Sequence, residues 1–143
     1  MPKTKLVKKP KLKKERSVSS LAKKVWALTR EKALKEQADE FGRVNCYTCS
    51  AKDLQGANRQ LGHGYSKGAL GITMQYDLRI LRWQCFYCNL RMGGMGAVFW
   101  KNLEAEYGKE VADKLFAECR KSKGLGLRAR PILMRLIADL STG

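Results

Sequence analysis

The sequence predicts an α+β chain: a small cysteine-stapled core of two short strands, flanked by helices and preceded by a basic arm. Three observations carry this. Two C-x2-C pairs, Cys46/Cys49 and Cys85/Cys88, are separated by 35 residues. Between them lie glycines and only short strand-like runs, whereas the 3.6-residue apolar period governs the segments before and after. The first sixteen residues hold eight Lys or Arg against one Glu, with two prolines and little apolar content.

Residues 1–16 read as a disordered arm, because so charged a segment cannot bury enough surface to order itself. Lys8, Lys9, Lys13 and Lys14 lie in it. Residues 17–42 read as a basic amphipathic helix capped by Ser19 or Ser20, with Leu21, Val25, Trp26 and Leu28 on its apolar side and Gly42 closing it. Residues 43–108 form the cysteine-bearing core. In it LGHGY (Leu61–Tyr65) and DLRILRW (Asp77–Trp83) are the two strands, GYSKGALGIT is the loop between them, and AVFWKNLEAEY is a helix ending at Gly108. Residues 109–143 form C-terminal helices, KEVADKLFAECRKSK ending at Gly124 and PILMRLIADLS opened by Pro131. The stripe Leu133, Leu136, Ile137 and Leu140 suits a core face, a homodimer contact or docking on another protein.

The net charge of +16 over 143 residues points to a polyanionic partner, DNA or RNA. No apolar run approaches the ~20 residues that cross a bilayer, so no membrane partner is expected. The N-terminus lacks a secretory h-region, and the expected location is the cytoplasm. In a reducing compartment cysteines at this spacing are metal ligands. Two thiolates from each turn complete the tetrahedral shell of a closed, structural Zn²⁺ site. The leftover Cys119 falls mid-helix and reads as a small core hydrophobe.

The single histidine, His63, lies on the first candidate strand, and Asn89 directly follows the fourth cysteine. A zinc-held strand pair running into a helix is the skeleton of a ββα-metal (HNH-like) nuclease. There a strand histidine activates water and a residue at the helix start binds a catalytic divalent ion. Imidazole titrates near neutral pH, and an amide oxygen suits Mg²⁺ or Mn²⁺. The competing assignments are a packed histidine and a helix N-cap asparagine.

CYTC, LGHGY, WQCFYCN and the helix running to EYGKEVADKL, in this order, resemble the phage NinG (Rap) recombination endonuclease family over roughly Arg43–Leu115. The CxxCN step is also similar to that of phage endonuclease VII. The resemblance implies a metal-dependent DNA endonuclease, a hydrolase acting in DNA recombination on branched intermediates such as Holliday junctions or D-loops, alongside recombination proteins in the host cytoplasm. It implies structural Zn²⁺ on Cys46, Cys49, Cys85 and Cys88, His63 as base and Asn89 as a ligand of catalytic Mg²⁺ or Mn²⁺. The chain departs from such nucleases in lacking an acidic residue just before His63. That departure favours the alternative, a non-catalytic zinc-knuckle protein binding DNA or RNA. Lys67, Arg79, Arg82 and Arg91 flank the proposed site as DNA contacts, and Trp83, Phe86 and Tyr87 either stack on bases or fill the core.

Overall fold

A computed structural model describes residues 5, 7–10, 15–125 and 128–142. Helix α1 (Val18–Gln37) opens the fold. Its cap is Ser17, whose hydroxyl accepts the Ser20 N–H at 3.1 Å, two to three residues before the expected position. The helix also stops five residues earlier than Gly42. Asp39 explains this: its carboxylate accepts the N–H groups of Phe41 and Arg43, offering the backbone a turn in place of another helical hydrogen bond. Gly42, at φ +74°, serves that turn.

Strands β1 (Gln60–His63) and β2 (Leu81–Gln84) pair antiparallel, with Leu61 opposite Trp83 and His63 opposite Leu81. The expected second strand began at Asp77. Instead Asp77 accepts the Arg79 N–H at 2.9 Å and caps a 3₁₀ turn over Leu78–Ile80, so extended backbone starts only at Leu81. After β2 comes a π-helical turn, Tyr87–Arg91, then three consecutive positive-φ residues (Gly93, Gly94 and Met95) and helix α2 (Gly96–Tyr107). Helix α3 (Lys109–Ser122) follows across Gly108. Helix α4 (Ala129–Ser141) carries Pro131 in its first turn, where no helical N–H is lost.

A two-stranded sheet is marginal alone and is stabilised by what covers it. Strand alternation gives it two faces. Leu61, Leu81 and Trp83 pack with Ala33, Trp26 and Leu34 of α1 and with three of the four cysteines. The opposite face carries Gln60, Gly62, Arg82 and Gln84 towards the π turn and α2. A second cluster joins Ile80, Leu70 and Met74 to Leu115 and Cys119 of α3, so Cys119 is the core residue its sequence position predicts. In a third, Leu21 and Val25 of α1 meet Leu133, Leu136, Ile137 and Leu140 of α4. The C-terminal apolar stripe is therefore intramolecular core.

Candidate metal centre and flanking cleft

Each C-x2-C segment is a tight turn that aims two sulfurs inward. Cys46 N–H donates to Ala51 O and Tyr47 N–H to Trp83 O, tying the first turn to β2. Ala51 N–H points at Cys49 Sγ and Cys88 N–H at Cys85 Sγ, both at 3.4 Å. The four sulfurs lie within 4.8 Å of one another, and Cys49 and Cys85 are 3.7 Å apart. Zn–S bonds of about 2.3 Å give a tetrahedron with S···S edges of roughly 3.8 Å. The tetrad thus fits a structural metal such as zinc and offers no open coordination position.

Its electrostatics call for a cation. Burial pushes the Cys46 thiol up, but N–H donors of Cys85 and Thr48 and the Thr48 hydroxyl outweigh it and bring Cys46 down to about 6. Burial and the neighbouring sulfurs push Cys88 up to about 12. Four thiols this close cannot all ionise unaided, whereas a divalent ion deprotonates coordinating thiols outright.

His63 ends β1 on the α1 face. Its ring stacks on Trp26 with centroids 5.4 Å apart and planes 7° from parallel. Nε2 lies 2.8 Å from the Gln75 carbonyl, which can only accept, so Nε2 carries the hydrogen and Nδ1 keeps its lone pair. Burial lowers the His63 pKa below 6.5, with the Lys67 ammonium adding to the effect and the Gln75 carbonyl opposing it.

Asn89 is not the N-cap of α2, a position held by Met95. It sits inside the π turn, and its amide donates to Gln60 Oε1 at 2.8 Å. The Asn89 oxygen approaches β1 at Gly62, where a Cβ would lie 3.1 Å from it. The same Cβ would lie 1.8 Å from Gln84 Oε1. Gln84 is fully buried, its amide nitrogen committed to Thr48 and the Gly94 carbonyl, and its oxygen has no partner. Only glycine fits here. Gly62→Ala should cost roughly 1–3 kcal/mol of stability by overpacking, and an unchanged Tm would refute this packing account.

Adjacent strand residues face opposite ways, so β1 turns His63 towards α1 and presents Asn89 at its other face. The two share no single pocket wall. They lie on either side of the outer edge of β1, which has no strand partner among the described residues. Over that edge runs a cleft of about 370 Å³ lined by Trp26, Arg30, Arg59, Gln60, Phe86 and Asn89 among others.

The expected basic contacts divide. Arg82 is buried: its guanidinium donates to the carbonyls of Leu78 and Leu81, to Glu106 at 2.9 Å and to the Tyr107 hydroxyl at 2.6 Å. It is a structural strut rather than a DNA contact. Arg79 forks between Asp77 and Glu118, so its charge is already matched. Arg91 is exposed on the π turn, and Lys67 is exposed with its ammonium 5.9 Å from the Trp26 ring centroid. Lys8 and Lys9 are exposed; Lys13 and Lys14 lie outside the described residues. Trp83 is core, whereas Phe86 and Tyr87 project, 42% and 62% exposed.

Two cleft residues escaped the sequence reading, Arg30 and Arg59. The spacing of Trp26 and Arg30, one helical turn apart, was the available signal. No protein-family model, curated protein or solved structure matches the chain. Among the described residues no helix is long and apolar enough to cross a membrane.

Proposed function

We propose that this chain is a zinc-stapled, divalent-metal-dependent endonuclease for branched DNA, similar to the phage NinG recombination endonucleases. The observation that carries the reading is His63: a first-strand imidazole held in the Nε2–H tautomer with Nδ1 free, beside a basic cleft. The order of β1, β2 and a following helix, with Asn89 directly behind the last cysteine, supports it. A phosphodiester laid over the open edge of β1 meets both faces of the strand. His63 Nδ1 takes a proton from water, the resulting hydroxide attacks phosphorus, and the P–O bond to the leaving strand breaks, its oxygen keeping the electron pair and taking a proton from solvent.

Asn89 and its partner Gln60 supply amide oxygens of the hardness that Mg²⁺ or Mn²⁺ requires, but no negative charge. Among the described residues no carboxylate lines the cleft. Such a pair holds a hard cation weakly, and the substrate phosphate has to complete the site. The divalent ion would supply charge stabilisation of the phosphorane.

Cleavage of a four-way DNA junction with Mg²⁺ or Mn²⁺ tests the reading. Gln60→Glu places a carboxylate beside Asn89 and should lower the half-saturating ion concentration about tenfold, equivalent to roughly 1.4 kcal/mol. Asn89→Ala should raise it. A cleaving wild type with an ion requirement unmoved by either change would remove Asn89 and Gln60 from the site.

A second reading, a non-catalytic zinc-knuckle protein for DNA or RNA, is favoured by the opposed faces of His63 and Asn89 and by the missing carboxylate. Binding without turnover in either ion would establish it.

A further inference from the structure

The edge cleft holds two arginines, Arg30 and Arg59, that no described residue neutralises. The Arg30 and Arg59 guanidinium carbons each lie 5.7 Å from the centroid of the Trp83 ring. Among the described residues neither guanidinium makes an ion pair or a hydrogen bond, unlike Arg79, Arg82 and Arg130. The Arg59 Nε atom is buried and has no partner among the described residues. A buried donor left unmade costs about 1–3 kcal/mol, more when charged, and at the wall of an open cleft a ligand that accepts from it offsets that cost. No acidic side chain among the described residues is in the lining.

The rest of the wall fits the same ligand. Both guanidinium groups approach the Trp83 ring, which is 3% exposed and held in the core, a rigid aromatic surface on which guanidinium groups stack favourably. Trp26 and the half-exposed Phe86 give the cleft apolar flanks, and the Gln60 and Asn89 amides stand on its floor. Planar guanidinium forks match the paired oxygens of a phosphate, and apolar flanks accept the sugar and base on either side.

We infer that Arg30 and Arg59 form a clamp for one backbone phosphodiester of a nucleic-acid strand lying along the outer edge of β1. This rests on the nuclease reading for its biological setting, but the clamp itself needs no catalytic ion. The phosphate it holds neighbours the Asn89–Gln60 pair, so the clamp sets which bond reaches that pair.

Fluorescence anisotropy of a labelled four-way DNA junction, and of an RNA duplex with the same arm sequence, tests this in buffer without added Mg²⁺ or Mn²⁺. Arg30→Ala/Arg59→Ala should weaken binding of the strand it serves by about 10-fold or more and reduce the salt slope by about 1. The nucleic acid whose affinity falls is the one the clamp serves. A charge-matched control, Lys109→Ala/Lys114→Ala on α3, should change affinity less than about 3-fold, because those lysines sit in exposed i,i+4 pairs with Asp113 and Glu110. Arg30→Lys/Arg59→Lys, which keeps charge and volume, carries the test if the alanine pair fails to fold. It should lose affinity with the salt slope unchanged, since an ammonium lacks the fork.

Binding equal to wild type in both arginine pairs, or an equal loss in the α3 control, overturns the clamp. Junction cleavage measured separately keeps the two readings apart. Arginine variants that bind normally while wild type cleaves would sink the clamp alone. Loss of binding in the arginine variants, with no cleavage by wild type in either ion, would sink the nuclease reading alone.

Discussion

Cys85→Ser should yield a chain that retains no zinc and loses the cooperative unfolding of its central region. Cys46, Cys85 and Cys88 are themselves members of the cluster that contains Val44, Leu54, Leu61, Leu81 and Trp83, so the candidate ligands and the core are one structure. The strand pair has only four residues per strand. Its two cysteine turns are brought together across a 35-residue insertion whose closure entropy local contacts do not repay. Structural zinc contributes about 10–16 kcal/mol of apparent binding free energy in small domains, comparable to the whole ~5–15 kcal/mol stability of a typical fold. Losing one thiolate removes most of it. Elemental analysis of purified wild type should find one tightly held zinc per chain, and chelator titration should melt the same transition that Cys85→Ser lacks. The contact between α1 and α4, built from Leu21, Val25 and Leu133, lies outside this cluster and should preserve some helical signal. A wild type without zinc, or a serine variant melting within about 2 °C of it, would refute a metal-held core; for a chain this size that margin is under roughly 1 kcal/mol.

The cysteine tetrad was legible because ligand spacing is a local signal and the geometry of four thiolates is nearly unique. The helices after Gly96 were legible for a similar reason: α2 is closed by Gly108, α3 stops two residues before Gly124, and their apolar periods are uninterrupted. What the sequence hid was set by competition or by distance along the chain. Asp39 and Asp77 each divert the backbone with a side-chain acceptor, shortening α1 and β2 at points where periodicity alone predicted continuation. Arg82 looked like a phosphate contact because its partners, Glu106 and Tyr107, lie 24 and 25 residues away on α2. The converse happened with Arg30 and Arg59. Assigned to different elements, they converge only because Trp83 is buried between α1 and the start of β1. Asn89 directly follows the last cysteine in the sequence, but its neighbours were hidden: the contacts with Gln60 and Gly62 depend on the register Gln60 opposite Gln84.

His63→Ala should lower junction cleavage by about 10²- to 10⁴-fold, the usual contribution of a general base, while leaving junction binding within about 3-fold because His63 does not line the cleft. The variant also removes a ring stacked on Trp26, so His63→Gln is the companion, keeping a planar group in that space. Both should retain zinc, since no tetrad sulfur touches the imidazole. The pH profile separates a base from a packing residue. Burial, reinforced by Lys67, holds the folded-state pKa below 6.5, so the free-base form persists to lower pH than in an exposed histidine. The acid limb of kcat/KM should therefore lie below pH ~6.5, and the limb should vanish from the residual activity of His63→Gln. Stability moves in the same direction. Between the unfolded pKa and the lower folded one the unfolded chain binds the extra proton, so wild type loses stability as pH falls through that window and the alanine variant does not. Equal cleavage by wild type and His63→Ala would take the base away from this site. A wild-type acid limb that survives in His63→Gln would assign the titration to another group.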